Sequence, residues 1–144
     1  MTFRILAFLS VLVFTFSSCT TYYIPKESFK QQFAGMDSST LRVVTTRGPA
    51  GDTIKYKTYP IDYIHCIDSK GNPVELKNSP SIEIRFTDSN NRRTVFYFDW
   101  ISVNDTTVSG RQSRFISSFR KSIPIRTIMK IEVQDGHKNF HYTH

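Results

Sequence analysis

Hydrophobic and polar residues alternate along most of the chain with the two-residue period of β-strands. The clearest case is residues 81–87, where one face carries Ile82, Ile84 and Phe86 and the other carries polar side chains. Residues 94–101 are apolar on both faces, which predicts a central strand. No long stretch with the 3.6-residue period of a helix competes with this pattern. The chain is therefore predicted to fold as an all-β domain over residues 40–144.

Turn-forming residues separate the predicted strands. Residues 41–46 and 53–57 are rich in β-branched and aromatic side chains and flank a Gly- and Pro-containing turn, which predicts a first hairpin. The other predicted turns lie at residues 88–91, 104–105 and 134–136. The last contains Asp135-Gly136, a strong hairpin signal, and predicts that residues 129–133 pair with residues 138–142.

A weak internal echo suggests two related β units. Residues 57–67 recur as residues 121–131, a shift of 64 positions, with a proline followed by isoleucines at spacing three in both copies. Proline cannot donate to a sheet ladder, so each copy is predicted to leave a strand, make a tight helical turn and enter another strand. The alternative is chance recurrence. The pattern is similar to the closing part of small SH3-like or Sm-like barrels, which implies a small antiparallel barrel.

The first residues have the layout of a secretory signal peptide. Ile5–Phe16 is an uncharged run of twelve residues, preceded by Arg4 and followed by small residues. A transmembrane helix needs roughly 20 apolar residues, so the run is too short to span a bilayer. Residues 1–18 are therefore predicted to be a cleaved signal peptide, and the alternatives are an ordinary secretory signal with an incidental Cys19 or an uncleaved anchor.

Phe16-Ser17-Ser18-Cys19 resembles the lipobox of bacterial lipoproteins, although that family usually has an aliphatic residue where this chain has Phe16. The resemblance implies that Cys19 becomes the first residue of the mature chain and carries fatty acyl chains such as palmitate. Two or more acyl chains make membrane attachment durable. By analogy with enteric sorting, Thr20 after the cysteine favours the outer membrane of the cell envelope. Residues 19–39 are then expected to be the lipidated cysteine and a tether, with a short irregular or helical piece near residues 26–33.

Positive charge is concentrated in one part of the chain. The formal net charge is +7, and residues 106–131 contain six bases and no acid: Arg111, Arg114, Arg120, Lys121, Arg126 and Lys130. This band predicts a basic surface for anionic lipid head groups or an acidic envelope polymer, and its alternative is a solvated face. A basic β domain with Phe115 and Phe119 would also suit nucleic acid, but export argues against that partner.

The sequence contains no phosphate loop, no nucleophile elbow and no H-E-x-x-H zinc motif. Cys66 lies in an apolar run and is predicted to be buried and inert. We expect a membrane-anchored binding or structural module without a cofactor rather than an enzyme. The alternative is a periplasmic or secreted metal-binding protein or hydrolase that uses the C-terminal histidines His137, His141 and His144.

Two short segments, Asp52-Thr53-Ile54 and Asp105-Thr106-Thr107, resemble the O-glycan acceptor pattern of Bacteroidetes. Both lie at predicted turns, where a transferase can reach them. The resemblance implies that Thr53 or Thr106 is a glycosylation site, and chance occurrence of so short a pattern is the alternative.

Overall fold

The computed structural model describes residues 19–143, so the predicted signal peptide and His144 lie outside the described residues. The described chain is mostly β-strand, which confirms the all-β class. It contains a single α-helix, α1 (Lys26–Gln32). The strands are β1 (Thr21–Tyr23), β2 (Arg42–Arg47), β3 (Thr53–Thr58), β4 (Tyr63–Ile67), β5 (Pro73–Lys77), β6 (Ile82–Asp88), β7 (Arg93–Tyr97), β8 (Ser102–Val103), β9 (Thr107–Arg111), β10 (Arg120–Pro124), β11 (Ile128–Asp135) and β12 (His141–Thr143).

The strands form three antiparallel sheets. The largest has the order β5-β4-β1-β11-β6-β7, and the two smaller sheets have the orders β10-β9-β8 and β12-β2-β3. No ladder of backbone hydrogen bonds joins these sheets to one another within residues 19–143. The described strands therefore do not close into the small barrel expected from the sequence pattern, and the core lies between packed open sheets.

The segment expected to be a tether is built into the domain. Strand β1 lies between β11 and β4, with Tyr22 opposite Val133 and Tyr23 opposite Ile67. Helix α1 follows, as expected for a short helix near residues 26–33, and buries Phe29 completely in the core. Residues 21–33 thus belong to the folded body instead of forming a linker over residues 19–39. A strand of three residues is too short to show alternation in the sequence.

The two copies of the internal sequence repeat each lead into a strand of the large sheet. In the first copy β3 leads through Pro60 into β4, and in the second β10 leads through a 3₁₀ turn at Ile125–Thr127 into β11. The helical turn therefore forms in the second copy and not in the first. The isoleucines nearest each proline are buried, namely Ile61, Ile64, Ile125, Ile128 and Ile131. Strands β4 and β11 lie on either side of β1, so both copies supply its neighbours.

The strand predicted over residues 94–101 differs from the one observed. Strand β7 ends at Tyr97, and Phe98–Trp100 forms a 3₁₀ turn. The prediction of a central position is wrong, because β7 is an edge strand of the large sheet. Its side chains are nevertheless buried because β9 packs against it. Gly110 allows this close approach, since a Cβ at that position would lie 2.6 Å from Cγ of Phe96.

The predicted hairpin at Asp135-Gly136 is wrong. Strand β12 pairs with β2, with His141 opposite Arg47, and not with β11. The backbone N–H of Gly136 donates to the carbonyl of Ser81 at 2.9 Å, and His137 adopts a φ of +49°. These two features turn the chain away from β11 and towards the sheet formed by β12, β2 and β3. The first hairpin, β2–β3, is confirmed.

We predict that Gly110→Ala destabilises the domain by about 1–3 kcal/mol, because the added methyl group overpacks the contact with Phe96. Chemical denaturation measures the free energy of unfolding. In a Phe96→Leu background the same alanine should cost less, because the smaller side chain leaves space for the methyl group. An equal cost of the alanine in both backgrounds would contradict this explanation.

Candidate functional site

A buried ion pair holds the loop between β9 and β10 against the body. Asp99 lies in the 3₁₀ turn after β7, and Arg114 lies in the loop at residues 112–119. Their Oδ1 and Nη2 atoms are 2.6 Å apart, and both side chains are at least 99% buried. Arg114 also donates from Nε and Nη2 to the carbonyl of Pro80, at 3.1 and 2.5 Å. The prediction that Arg114 belongs to a basic surface is therefore wrong, because its charge is neutralised in the interior.

Aromatic rings enclose the same guanidinium group. Its central carbon lies 4.3 Å from the ring centre of Tyr97, 4.8 Å from that of Trp100 and 5.2 Å from that of Phe140. The negative faces of such rings attract a cation. The space between these rings is occupied by Arg114 itself, so the rings help to fix the loop that carries this arginine.

Tyrosine hydroxyls satisfy the second carboxylate oxygen of Asp99. Tyr56 of β3 and Tyr142 of β12 both donate to Oδ2, the latter at 3.1 Å. Burial raises the pKa of Asp99, while Arg114 and the hydroxyl donors lower it. Burial and the neighbouring negative charge raise the pKa of Tyr56 to about 12 and raise that of Tyr142 as well. Both tyrosines therefore stay protonated as donors at neutral pH.

A basic cleft of about 440 Å³ adjoins this network and shares Tyr56 and Trp100 with it. Among the residues that the structure describes, its lining contains four basic residues and no acidic residue. The bases are Lys57, Arg111, Arg120 and Lys121. Hydroxyl groups of Ser109 and Ser122 also reach the cleft and are hydrogen-bonded to each other at 2.7 Å. We call this feature the basic cleft.

Two arginines of the basic cleft face each other across the β9–β10 ladder. Arg111 and Arg120 are partners in the strand register, and like charges placed directly opposite destabilise a sheet. The Arg111 guanidinium lies 4.4 Å from the ring centre of Trp100. The pKa of Arg111 is lowered, mainly by partial burial and also by the positive charge of Arg120. Among residues 19–143, no carboxylate lies within 4.0 Å of either arginine. A bound anion would relieve this repulsion.

The other bases of the predicted band lie elsewhere. Lys130 pairs with Glu132 at 3.0 Å, and Arg126 lines a separate cavity together with Asp105. The structure thus brings together three of the six predicted bases, Arg111, Arg120 and Lys121. Lys57, which the charge pattern did not single out, completes the cleft from a neighbouring sheet. Its only sequence signal is its place on the outer face of an alternating strand.

The two cysteines have different environments. Cys19 is exposed, and its Sγ donates to the carbonyl of Asp135 at 3.2 Å. Cys66 is buried as predicted, and burial raises the pKa of its thiol. The neighbouring His65 points to the opposite, exposed face of β4 and lies 3.4 Å from Glu75. This geometry separates Cys66 from the adjacent imidazole.

His137 and His141 are both exposed near the C-terminus. His141 bonds to the side chain of Asn139 at 2.6 Å. In the described part of the chain, no three His, Cys, Asp or Glu side chains cluster in a way that could hold a metal ion.

The threonines of the two predicted glycosylation patterns, Thr53 and Thr106, are exposed.

Comparison with protein-family models, curated proteins and solved structures finds no match for this chain. In the part of the chain that the structure describes, no helix combines the length and apolar character needed to cross a bilayer.

We predict that Arg114→Met and Asp99→Asn each destabilise the domain by about 3–5 kcal/mol, because each leaves the partner's polar or charged group buried without its counterpart. The double variant should lose several kcal/mol less than the sum. Denaturant unfolding of all four proteins measures this coupling free energy.

The matched control is Arg42→Met, which breaks a surface pair with Asp62 of the same 2.6 Å separation. Exposed pairs contribute about 0–1 kcal/mol, so this variant should remain close to wild type. Additive losses at Arg114 and Asp99, or a loss at Arg114 no larger than at Arg42, would contradict the role assigned to the buried pair.

Proposed function

We propose that the protein is a lipid-anchored component of the cell envelope, at the outer membrane, whose domain binds an anionic ligand in the basic cleft. The observation that carries the proposal is the absence of any acidic residue from a cleft lined by four bases. An opposed arginine pair that has no carboxylate partner among residues 19–143 is a preorganised site for an oxyanion.

The chemistry of the cleft favours a phosphate-bearing ligand. Guanidinium groups present several N–H donors in a fixed plane and bind phosphate oxygens in pairs. Lys57 adds a point charge, and the serine hydroxyls add uncharged donors. Lys121 also lines the cleft, but its ammonium donates to the hydroxyl of Thr94 at 2.9 Å. Apolar contact area from Leu41 and the aromatic rings suits the carbon skeleton that carries such a phosphate. Anionic lipid head groups and acidic envelope polymers both carry this combination.

The position of Cys19 supports attachment close to the membrane. The cysteine is exposed, and only Thr20 separates it from β1. An extended chain gains at most about 3.6 Å per residue, so acyl chains on Cys19 would hold the domain against the bilayer. A domain held in this way meets membrane-associated anions at high local concentration.

We expect protein recovered from cell membranes to begin at Cys19 and to carry a diacylglyceryl-sized mass increment. Intact-protein mass spectrometry measures both features. The Cys19→Ser variant should lack the increment and should leave the membrane fraction, because the sulfur that carries the lipid is gone. Cys66→Ser is the control and should keep both. Recovery of wild-type protein that retains Met1 and carries no lipid would refute the anchoring.

The basic cleft can be tested with inorganic phosphate as the probe. At constant ionic strength, replacing chloride by phosphate should raise the midpoint of thermal unfolding of the wild type, because a ligand that binds only the folded state stabilises it. The double variant Arg111→Gln/Arg120→Gln should lose most of this phosphate-dependent shift.

The control for this experiment is Arg47→Gln/Arg126→Gln, which removes the same amount of charge from exposed positions outside the cleft. It should respond to phosphate as the wild type does. Equal responses in both double variants would mean that phosphate acts through net charge and would remove the support for a specific site.

A further inference from the structure

The loop between β9 and β10 exposes three large apolar side chains. Phe115 is 71% exposed, Phe119 is 53% exposed and Ile116 is 46% exposed. They lie within five consecutive residues, and the backbone N–H of Phe119 donates to the carbonyl of Ile116 at 3.2 Å, so the three side chains belong to one patch of the loop. A contiguous apolar patch on a soluble surface marks an interaction site more often than scattered single residues do.

The loop is held in a defined conformation. Arg114 anchors it in the interior, and the hydroxyl of Ser113 accepts from the backbone N–H groups of Phe115 and Ile116, both at 3.1 Å. The backbone N–H of Gln112 donates to the carbonyl of Phe119 at 2.9 Å and closes the base. The apolar side chains are therefore presented outwards by a scaffold whose bonds are already formed.

The loop and Cys19 lie at the same end of the large sheet. Cys19 donates to the carbonyl of Asp135, the last residue of β11, and the carboxylate of Asp135 accepts from the hydroxyl of Ser81. The preceding residue, Pro80, accepts the hydrogen bonds from Arg114. Cys19 and the loop therefore both contact the region where the start of β6 lies opposite the end of β11.

Basic residues lie at both ends of the loop that carries the apolar patch. Arg111, Arg120 and Lys121 stand at the base of the loop, and residues 106–131 contain no acid. Aromatic rings are favoured at the boundary between head groups and acyl chains, while each nearby Lys or Arg is attracted to an anionic leaflet. Long basic side chains can keep their charge among head groups while the neighbouring apolar groups enter the bilayer.

We infer that the loop at residues 112–119 is a bilayer-contacting element. Phe115, Ile116 and Phe119 enter the interface of an anionic leaflet, and the bases at the base of the loop meet lipid phosphates. Because Arg111, Arg120 and Lys121 also line the basic cleft, lipid phosphate is the source of its anion. The orientation of the domain rests on the proposed anchoring at Cys19, whereas the chemistry of the loop does not.

The test uses the full protein recovered from cells and mixed with vesicles that contain brominated phosphatidylglycerol. Phe115→Trp places an indole on the loop, and Tyr63→Trp places one on β4 at the end of the sheet away from Cys19. Both positions are similarly exposed, at 71% and 52%, and both variants retain the buried Trp100 as a common background. Near-ultraviolet circular dichroism confirms that each variant is folded.

We expect bromolipid quenching of tryptophan fluorescence for Phe115→Trp and little additional quenching for Tyr63→Trp. Vesicles of brominated phosphatidylcholine should quench the loop variant less, because the attraction of the bases for anionic lipid is absent. Equal quenching of the two variants, or no quenching at either position while the protein floats with the vesicles, overturns the inference. The latter result leaves the anchoring at Cys19 intact. Quenching at the loop in protein whose Cys19 carries no lipid refutes the anchoring alone.

Discussion

The contact between the guanidinium of Arg114 and the carboxylate of Asp99 is the interaction on which the arrangement of the surface depends. A charge removed from water is costly unless its partners are complete, and here they come from distant parts of the chain. Asp99 receives hydrogen bonds from β3 and β12, and Arg114 reaches the carbonyl before β6. The buried ion pair therefore fixes three parts of the chain relative to one another. These are the β12-β2-β3 sheet, the turn after β7 and the β9–β10 loop.

This internal neutralisation determines which positive charges remain for binding. Arg114 is the second of the six bases at residues 106–131 and turns inwards. Arg111 and Arg120, the bases before and after it, remain on the ladder without carboxylate partners among the described residues. Trp100 takes part in both environments, since its ring contacts Arg114 in the interior and Arg111 at the cleft. Trp100 therefore links the buried ion pair to the lining of the basic cleft.

Local features of the structure were predictable from the sequence, and long-range ones were not. The β2–β3 hairpin and the turn at Asp88–Asn91 follow from residues adjacent in the chain, as does the burial of Cys66. Arg114 was assigned to the surface because it belongs to a stretch with six bases and no acid, while its partners Asp99 and Pro80 are 15 and 34 residues away. Lys57 joins the cleft only through packing between sheets, and Asp135-Gly136 failed as a hairpin because Ser81 captures the backbone of Gly136.

The placement of β1 also imposes an order on folding. Its side chains meet partners 113 positions later in the chain, as between Thr21 and Gln134, so the interior of the large sheet stays open until β11 has been made. Pairings between residues so far apart are slow to form because they must first close a long loop. During this interval β1, which begins two residues after Cys19, lacks its partner strand. Under the proposed anchoring, lipid attachment at Cys19 and the pairing of β1 with β11 are therefore competing events in time.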